Sequence, residues 1–344
     1  MTFTETTKAI APASSVTSKS MANGQMNSDD PKPNIQQPCP ICAETRGLAE
    51  HLIEVGLAAD YLGNTSSYVS EHGTATIKTE TIGDWLRLAA QLEKVEVDTW
   101  KFESPDAGLY CETVGDNIDA HAKHYTTHAT GLTRFMFVCN GLEEAYRFID
   151  HLYGPLSVRK GVAKRQLKRA SSLRTVALLD DLFDSKGVSA APKDFQHHCG
   201  NFIELFARYK AEHNAAVHGL DLGAESRLTY ALQLVRNLRN HVAHGTFPLG
   251  PPADYGGYED SEELVLMLKH ACRVSALYIQ IILRWFAQGF ESYDYNSIRD
   301  AYAKEFDRFI ANCTLEYVQD LHVKSEFALH KDLYDYERDE DDDD

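Results

Sequence analysis

Leu234-Val235-Arg236-Asn237-Leu238-Arg239-Asn240-His241-Val242-Ala243-His244-Gly245 is the stretch on which the fold of this chain turns. At about 100° per residue, Leu228, Ala231, Leu232, Val235, Leu238 and Val242 fall on one face, which predicts an amphipathic helix from Ala224 to His244. Gly245 supplies its stop, and Pro248 with Gly250-Pro251-Pro252 forbids continuation. Working outward, the same period marks three more long helices. The first starts at Thr133 and carries Phe135, Val138, Leu142, Tyr146, Ile149 and Leu152 up to a break at Gly154-Pro155. The second runs from Lys193 to His213 with Phe195, Phe202, Ile203 and Phe206. The third runs from Ser261, a good N-cap followed by Glu262 and Glu263, to Phe290. Four such helices imply an antiparallel bundle.

Before the bundle, helices are expected at Leu48–Leu62 and Asp84–Val95, with one or two short strands between Tyr68 and Ile82. The expected fold class is therefore mainly α: a helical bundle with a smaller N-terminal α+β domain. Residues 1–37, poor in aromatics and without a sustained period, read as a disordered leader. Residues 38–131 form the N-terminal domain, 132–290 the bundle, 291–330 a last helix packed on it, capped by Asn296 or Ser297, and 331–344 an acidic disordered tail. The chain has 344 residues, 43% hydrophobic and 25% charged, which is globular composition with room for two domains. The most apolar run, Val274–Ala287, is short for a bilayer span and contains Gln280 and Arg284, so no membrane helix is expected. Without an apolar signal core, and with seven scattered cysteines, the chain reads as cytoplasmic.

The formal net charge of −17 argues against coating nucleic acid by bulk attraction. That charge is polarised, however. Nine acids against one arginine lie between Asp332 and Asp344, whereas Ser157–Thr175 holds Arg159, Lys160, Lys164, Arg165, Lys168, Arg169 and Arg174 and no acid. The basic stretch is the natural docking element for RNA phosphates, or else a solvated helix or a partner for the acidic tail.

On the wheel, Arg239 falls inside the apolar face, where an unpaired guanidinium is costly, and Arg236, Asn240 and His244 follow one polar edge. His244, in the last turn, stands where the helix dipole favours its protonated form. A cationic His near a permanent Arg is equipment for acid–base chemistry at a phosphate. Arg239-Asn240, then His244 and Gly245 at a helix end, resemble the motif of the HEPN superfamily (higher eukaryotes and prokaryotes nucleotide-binding domain), over roughly Leu132–Phe290. That resemblance implies a bundle, frequently homodimeric, that cleaves RNA without metal by attack of the neighbouring 2′-hydroxyl. Carried over, His244 is the general acid–base and Arg239 stabilises the transition state, while Asn240 orients His244 or binds a phosphate oxygen. Arg236 assists on phosphate. The purely structural alternative pairs Arg239 with Glu143 or Glu144 and leaves His244 as a cap. A second register, Arg236-Asn237 with His241, has the same spacing but lies a turn short of the helix end.

The expected products carry 2′,3′-cyclic phosphate and 5′-hydroxyl ends, and the resemblance suggests a toxin or antiviral-defence effector. The alternative is a non-catalytic module for dimerisation or RNA binding. Arg239 and His244 stand about 140° apart on an ideal wheel, so a homodimer pairing two helix ends is expected, with Tyr278, Ile282 and Trp285 offering interface. The N-terminal domain is the place for an activating or inhibiting partner. Cys39-Pro-Ile-Cys42 has the spacing of half a structural zinc site, for which His121 and His124 are the best-spaced further ligands. Catalysis itself calls for no cofactor, and no Gly-rich phosphate loop, nucleophile elbow or paired-carboxylate motif is found.

Overall fold

The structure, a computed structural model, describes residues 39–104, 106, 112–162, 170–212, 227–245, 247, 259–290 and 311–332. It is mainly helical with one small sheet. In chain order come α1 (Pro40–Glu44), α2 (Leu48–Leu62), β1 (Thr65–Ser70), β2 (Gly73–Lys78), α3 (Thr79–Gln91) and α4 (Glu112–Ile149). A 3₁₀ turn at Asp150–Leu152 leads into α5 (Tyr153–Arg159), followed by α6 (Ser171–Lys186), α7 (Phe195–Glu212), α8 (Arg227–Ala243), α9 (Glu259–Phe286), α10 (Leu315–Val318) and α11 (Leu329–Asp332). β1 and β2 form an antiparallel hairpin in the register Thr65↔Lys78 to Ser70↔Gly73. The expected leader, most of the expected helix after Asn296, and the tail beyond Asp332 lie outside the described residues.

α9 is the axis of the core. Every residue from Ala271 to Leu283 is buried, and α2, α4, α7, α8 and α10 all pack on it. A helix that is apolar all round belongs inside a protein. α9 is also long and apolar enough to cross a membrane by length and composition, with 78% of its apolar window buried in this fold.

Several expected boundaries move, each for a local reason. α4 begins at Glu112 and runs unbroken past the expected domain boundary at residue 131. Its first turns carry histidine, threonine and glycine in place of an apolar stripe, so periodicity could not show them. They are instead met by the extended segment after α3, whose Val95 and Val97 amides donate to the Thr130 and Thr126 hydroxyls at 2.8 and 3.0 Å. α2 and α3 share one hydrophobic core with the bundle. Gly154-Pro155, expected to end the bundle helix, sits in the first turn of α5, where proline's missing N–H costs nothing. α6, hidden by the basic stretch, buries Leu178, Leu179 and Phe183.

The chain after residue 312 is fastened by buried charges. Glu54 on α2, fully buried, accepts from the Leu329 and His330 amides at 2.9 Å, from His330 Nδ1 at 2.5 Å and from the Tyr317 hydroxyl at 3.2 Å. Arg46 donates to Glu50, to the Val323 and Phe327 carbonyls and to Ser325. Buried charges are tolerated when every hydrogen-bonding position is met in this way.

α2 and α3 touch through glycine. A Cβ on Gly83 would stand 2.5 Å from the Gly56 carbonyl oxygen. Gly83→Ala is therefore expected to destabilise the protein by ~1–3 kcal/mol, read as a lowered urea midpoint. The buried histidines predict a pH dependence. Burial, reinforced by the nearby Arg273 charge, holds His51 well below its ordinary value, and burial likewise lowers His322 and His128 to about 4. These groups bind protons in the unfolded chain near 6.5 but resist them in the fold. Their contribution is thus full above about pH 6.5 and lost as pH falls toward about 4. Chemical denaturation across that window should show stability falling with pH; a flat profile would contradict the burial of these rings.

Candidate active site

α8 is held at both ends. At its start, the Tyr278 hydroxyl of α9 donates to the Leu228 carbonyl at 2.5 Å and accepts from the Leu232 amide, while Thr229 donates to Asp180 of α6 at 2.7 Å. Ala231, Leu232, Val235 and Leu238 then bury the apolar face. At its end, the His244 amide donates to the Asn240 carbonyl at 2.9 Å, and Gly245 takes a φ of 66°, the left-handed stop that glycine adopts freely.

Between these anchors the polar residues lie where burial leaves them poorly satisfied. Arg239 is half-buried against α4, in a narrow cleft with Cys139, Leu142, Glu143, Tyr146 and Arg236. Its Nη1 donates to Asn240 Oδ1 at 3.4 Å, and its Nε is buried without a partner. Among the described residues no carboxylate lies within ion-pair distance of it, and Glu144 is taken by Arg147 at 2.5 Å. Glu143 lines the same cleft without an ion pair to Arg239, and burial pushes both the Cys139 thiol and the Tyr146 hydroxyl well above their ordinary values, so Glu143 is the acid that the cleft offers. Gln233 Oε1 and Asn237 Oδ1, one turn apart on the same helix, are likewise buried without a partner. Three such atoms on one helix call for an explanation, since buried polar groups are normally satisfied.

His244 is exposed beside Gly245. His241, of the second register, is buried, and burial followed by the neighbouring His244 lowers its pKa. Arg239 faces α4 while His244, five residues on, is turned about 140° away, so helical geometry alone does not converge them. The interface expected from Tyr278 and Ile282 is not available: both are fully buried in the protein's own core. Trp285 is half-buried and donates to the Ala190 carbonyl at 2.9 Å. The sequence marked α9 as apolar but could not say which surface covers it.

The basic stretch is less free than its sequence implies. Arg159 pairs with Asp181, Lys160 with Asp181 at 3.2 Å and Asp184 at 3.8 Å, and Arg174 with Asp150 at 2.6 Å. These acids come from α6 and the turn before α5, more than twenty residues away from Arg159 and Arg174 along the chain. Lys164, Arg165, Lys168 and Arg169 lie outside the described residues. A groove between α7 and α8, lined by Phe206, Lys210, Tyr230, Leu234 and Asn237, is a feature that spacing did not reveal; Tyr230 is exposed there.

The expected ligand histidines stand apart from Cys42. His121 and His124 lie on α4 in ring contact with Tyr125, and the His124 and His128 rings lie tilted to each other with centroids 4.3 Å apart. Cys42 meets His197 of α7 instead, with Sγ 3.7 Å from Nε2.

Comparison with protein-family models, with curated proteins and with solved structures finds no match for this chain. The structural and chemical readings of Arg239 are separable by stability. Replacing a half-buried guanidinium that has no ion pair among the described residues with a shorter apolar side chain relieves a desolvation cost. Arg239→Leu is expected to leave the urea midpoint unchanged or raised. A loss above ~2 kcal/mol would assign Arg239 a structural ion pair or cap.

Proposed function

We propose that the protein is a metal-independent endoribonuclease whose catalytic residues are Arg239, Asn240 and His244. The observation that carries this reading is Arg239 itself: a half-buried guanidinium with an unpartnered Nε and, among the described residues, no ion-paired carboxylate, five residues before an exposed histidine at a helix terminus. The Nε donor lacks an acceptor, and a scissile phosphate provides one. In the proposed reaction His244 takes the proton of the 2′-hydroxyl or returns one to the leaving 5′-oxygen, and Arg239 holds the charge that builds on the phosphorus oxygens. Asn240, which already accepts from Arg239, keeps the guanidinium oriented or binds an oxygen of the phosphate. Arg236, in the same cleft, adds positive potential.

RNA would run along α8. Lys210 and the exposed Tyr230 in the α7–α8 groove offer a cation and a stacking face, which the basic stretch lacks. The stretch itself contributes chiefly through Lys164, Arg165, Lys168 and Arg169, because the other three basic residues already have acidic partners. Because Arg239 and His244 diverge on one helix, the reading includes a homodimer in which each protomer lends one of the pair to a shared centre. A toxin or defence role rests on the motif resemblance alone, as does any activating or inhibiting partner on residues 38–131.

The same divergence favours the second reading, a helical module that binds RNA or a second copy without cleaving. One experiment separates them. Wild-type protein incubated with total RNA in chelator should yield 2′,3′-cyclic phosphate and 5′-hydroxyl ends. Arg239→Ala and His244→Ala should each lower the rate by roughly 10²-fold or more with unchanged helix content. Mixing the two inactive variants should restore part of the activity if the centre is shared between protomers. Wild type that binds RNA without cutting it, or variants that cut normally, would overturn the catalytic reading.

A further inference from the structure

The N-terminal turn α1 is an element with no apolar anchor: none of its five residues is buried. Polar contacts hold it instead. Lys193 pairs with Glu44 at 2.9 Å, Lys324 donates from Nζ to the Ala43 carbonyl and from its amide to the Glu44 carbonyl, and Thr45 bridges to Val323. At the exposed side of this turn, Cys42 Sγ stands 3.7 Å from His197 Nε2. A thiolate and an imidazole bound to one tetrahedral zinc, at about 2.3 and 2.0–2.1 Å, are held about 3.6 Å apart. The spacing found is that of two ligands of one ion.

We propose that Cys42 and His197, together with Cys39, bind a zinc ion that fastens the start of the fold to α7. Cys39 enters by its place in Cys39-Pro-Ile-Cys42, the Cys-x-x-Cys spacing that lets two thiolates reach one metal. Two further features suit the site. Lys269 and Arg273 share the cleft of Cys42, and neighbouring cations favour the thiolate that a metal requires. The Asn201 amide lies 3.2 Å from His197 Nε2, which fits the tautomer whose Nε2 lone pair is available to a metal. Asn201 gives up that contact when the ion enters. Binding releases one proton from each thiol and involves no oxidation. With two sulfurs and one nitrogen, the donor set is that of zinc, which takes one further ligand to complete its tetrahedron. The ion closes a loop of 155 residues between Cys42 and His197, where a cross-link limits the unfolded chain most. The site shares no residue with Arg239, Asn240 and His244.

Untagged full-length protein, purified without chelator, should contain about one zinc per chain by elemental analysis. Cys39→Ser, Cys42→Ser and His197→Ala should each lose most of it, whereas His121→Ala and His124→Ala should keep it. Cobalt-loaded wild type should show a thiolate-to-metal charge-transfer band in the near ultraviolet, which tests the ligands without any variant. Zinc removal should lower the melting temperature, and re-addition should restore it. Protein that holds no zinc and takes up none when it is added, a cobalt spectrum without the band, or full zinc retention in Cys42→Ser and His197→Ala would overturn the proposal. None of these outcomes depends on whether the protein cleaves RNA.

Discussion

The rest of the fold depends on burying α9 on every side. A helix with a continuous buried run from Ala271 to Leu283 needs neighbours all around it, and each polar group it takes inside must find a partner there. These polar groups set the arrangement. Gln280 accepts at Oε1 from His51 Nε2 of α2 at 2.5 Å and donates from Nε2 to the Val318 carbonyl of α10, while Tyr278 bonds the start of α8. Arg273 donates to the Arg46 carbonyl at 2.5 Å. Apolar burial supplies most of the driving force but little direction. The buried hydrogen bonds specify which helix lies where and in what register.

This constraint reaches the candidate catalytic helix directly. α8 is pinned at its first turn by Tyr278 and at its middle by Val235 and Leu238, so its angular position is set by the core. Arg239 is consequently pressed toward α4 and the polar atoms of Gln233 and Asn237 are carried inside, whatever their own hydrogen-bonding needs. Core packing thus leaves one donor, Arg239 Nε, and two acceptors, the Gln233 and Asn237 side-chain oxygens, without partners along one helix, and of these only the donor suits an anion. His244, one residue beyond α8 and exposed, escapes that constraint.

The two ends of the described chain are held by a different physics. α1 buries no side chain, the segment from Leu315 to Leu329 adds Val318, Leu321, Phe327 and Leu329 to the core, and the two are joined to each other and to α2 by charged groups. Arg46 reaches Val323, Ser325 and Phe327, and Glu54 receives Leu329 and His330. Such contacts add specificity more than net stability. A metal between Cys42 and His197 would act in the same region and to the same end.

Much of the helical content was legible in the sequence, because period and stop signals are local. Leu48–Leu62 is found with the expected bounds, the terminus of α8 coincides with Gly245 to within two residues, and the hairpin overlaps the expected strand region while starting earlier, at Thr65, and giving way to α3 at Thr79. The placement of Arg239 on that helix and of His244 at its end was likewise readable, since it is a matter of spacing on one helix. What only the tertiary structure decided is every pairing between distant segments: that acids of α6 engage Arg159 and Lys160, that Tyr278 and Ile282 face the interior, that His241 is buried, and that Cys42 meets His197 and not His121 or His124. The physical reason is common to all of them. Local sequence determines what a helix would prefer to bury, but which neighbour buries it depends on packing around α9, and contacts across 22 or 155 residues leave no trace in a window of one or two turns.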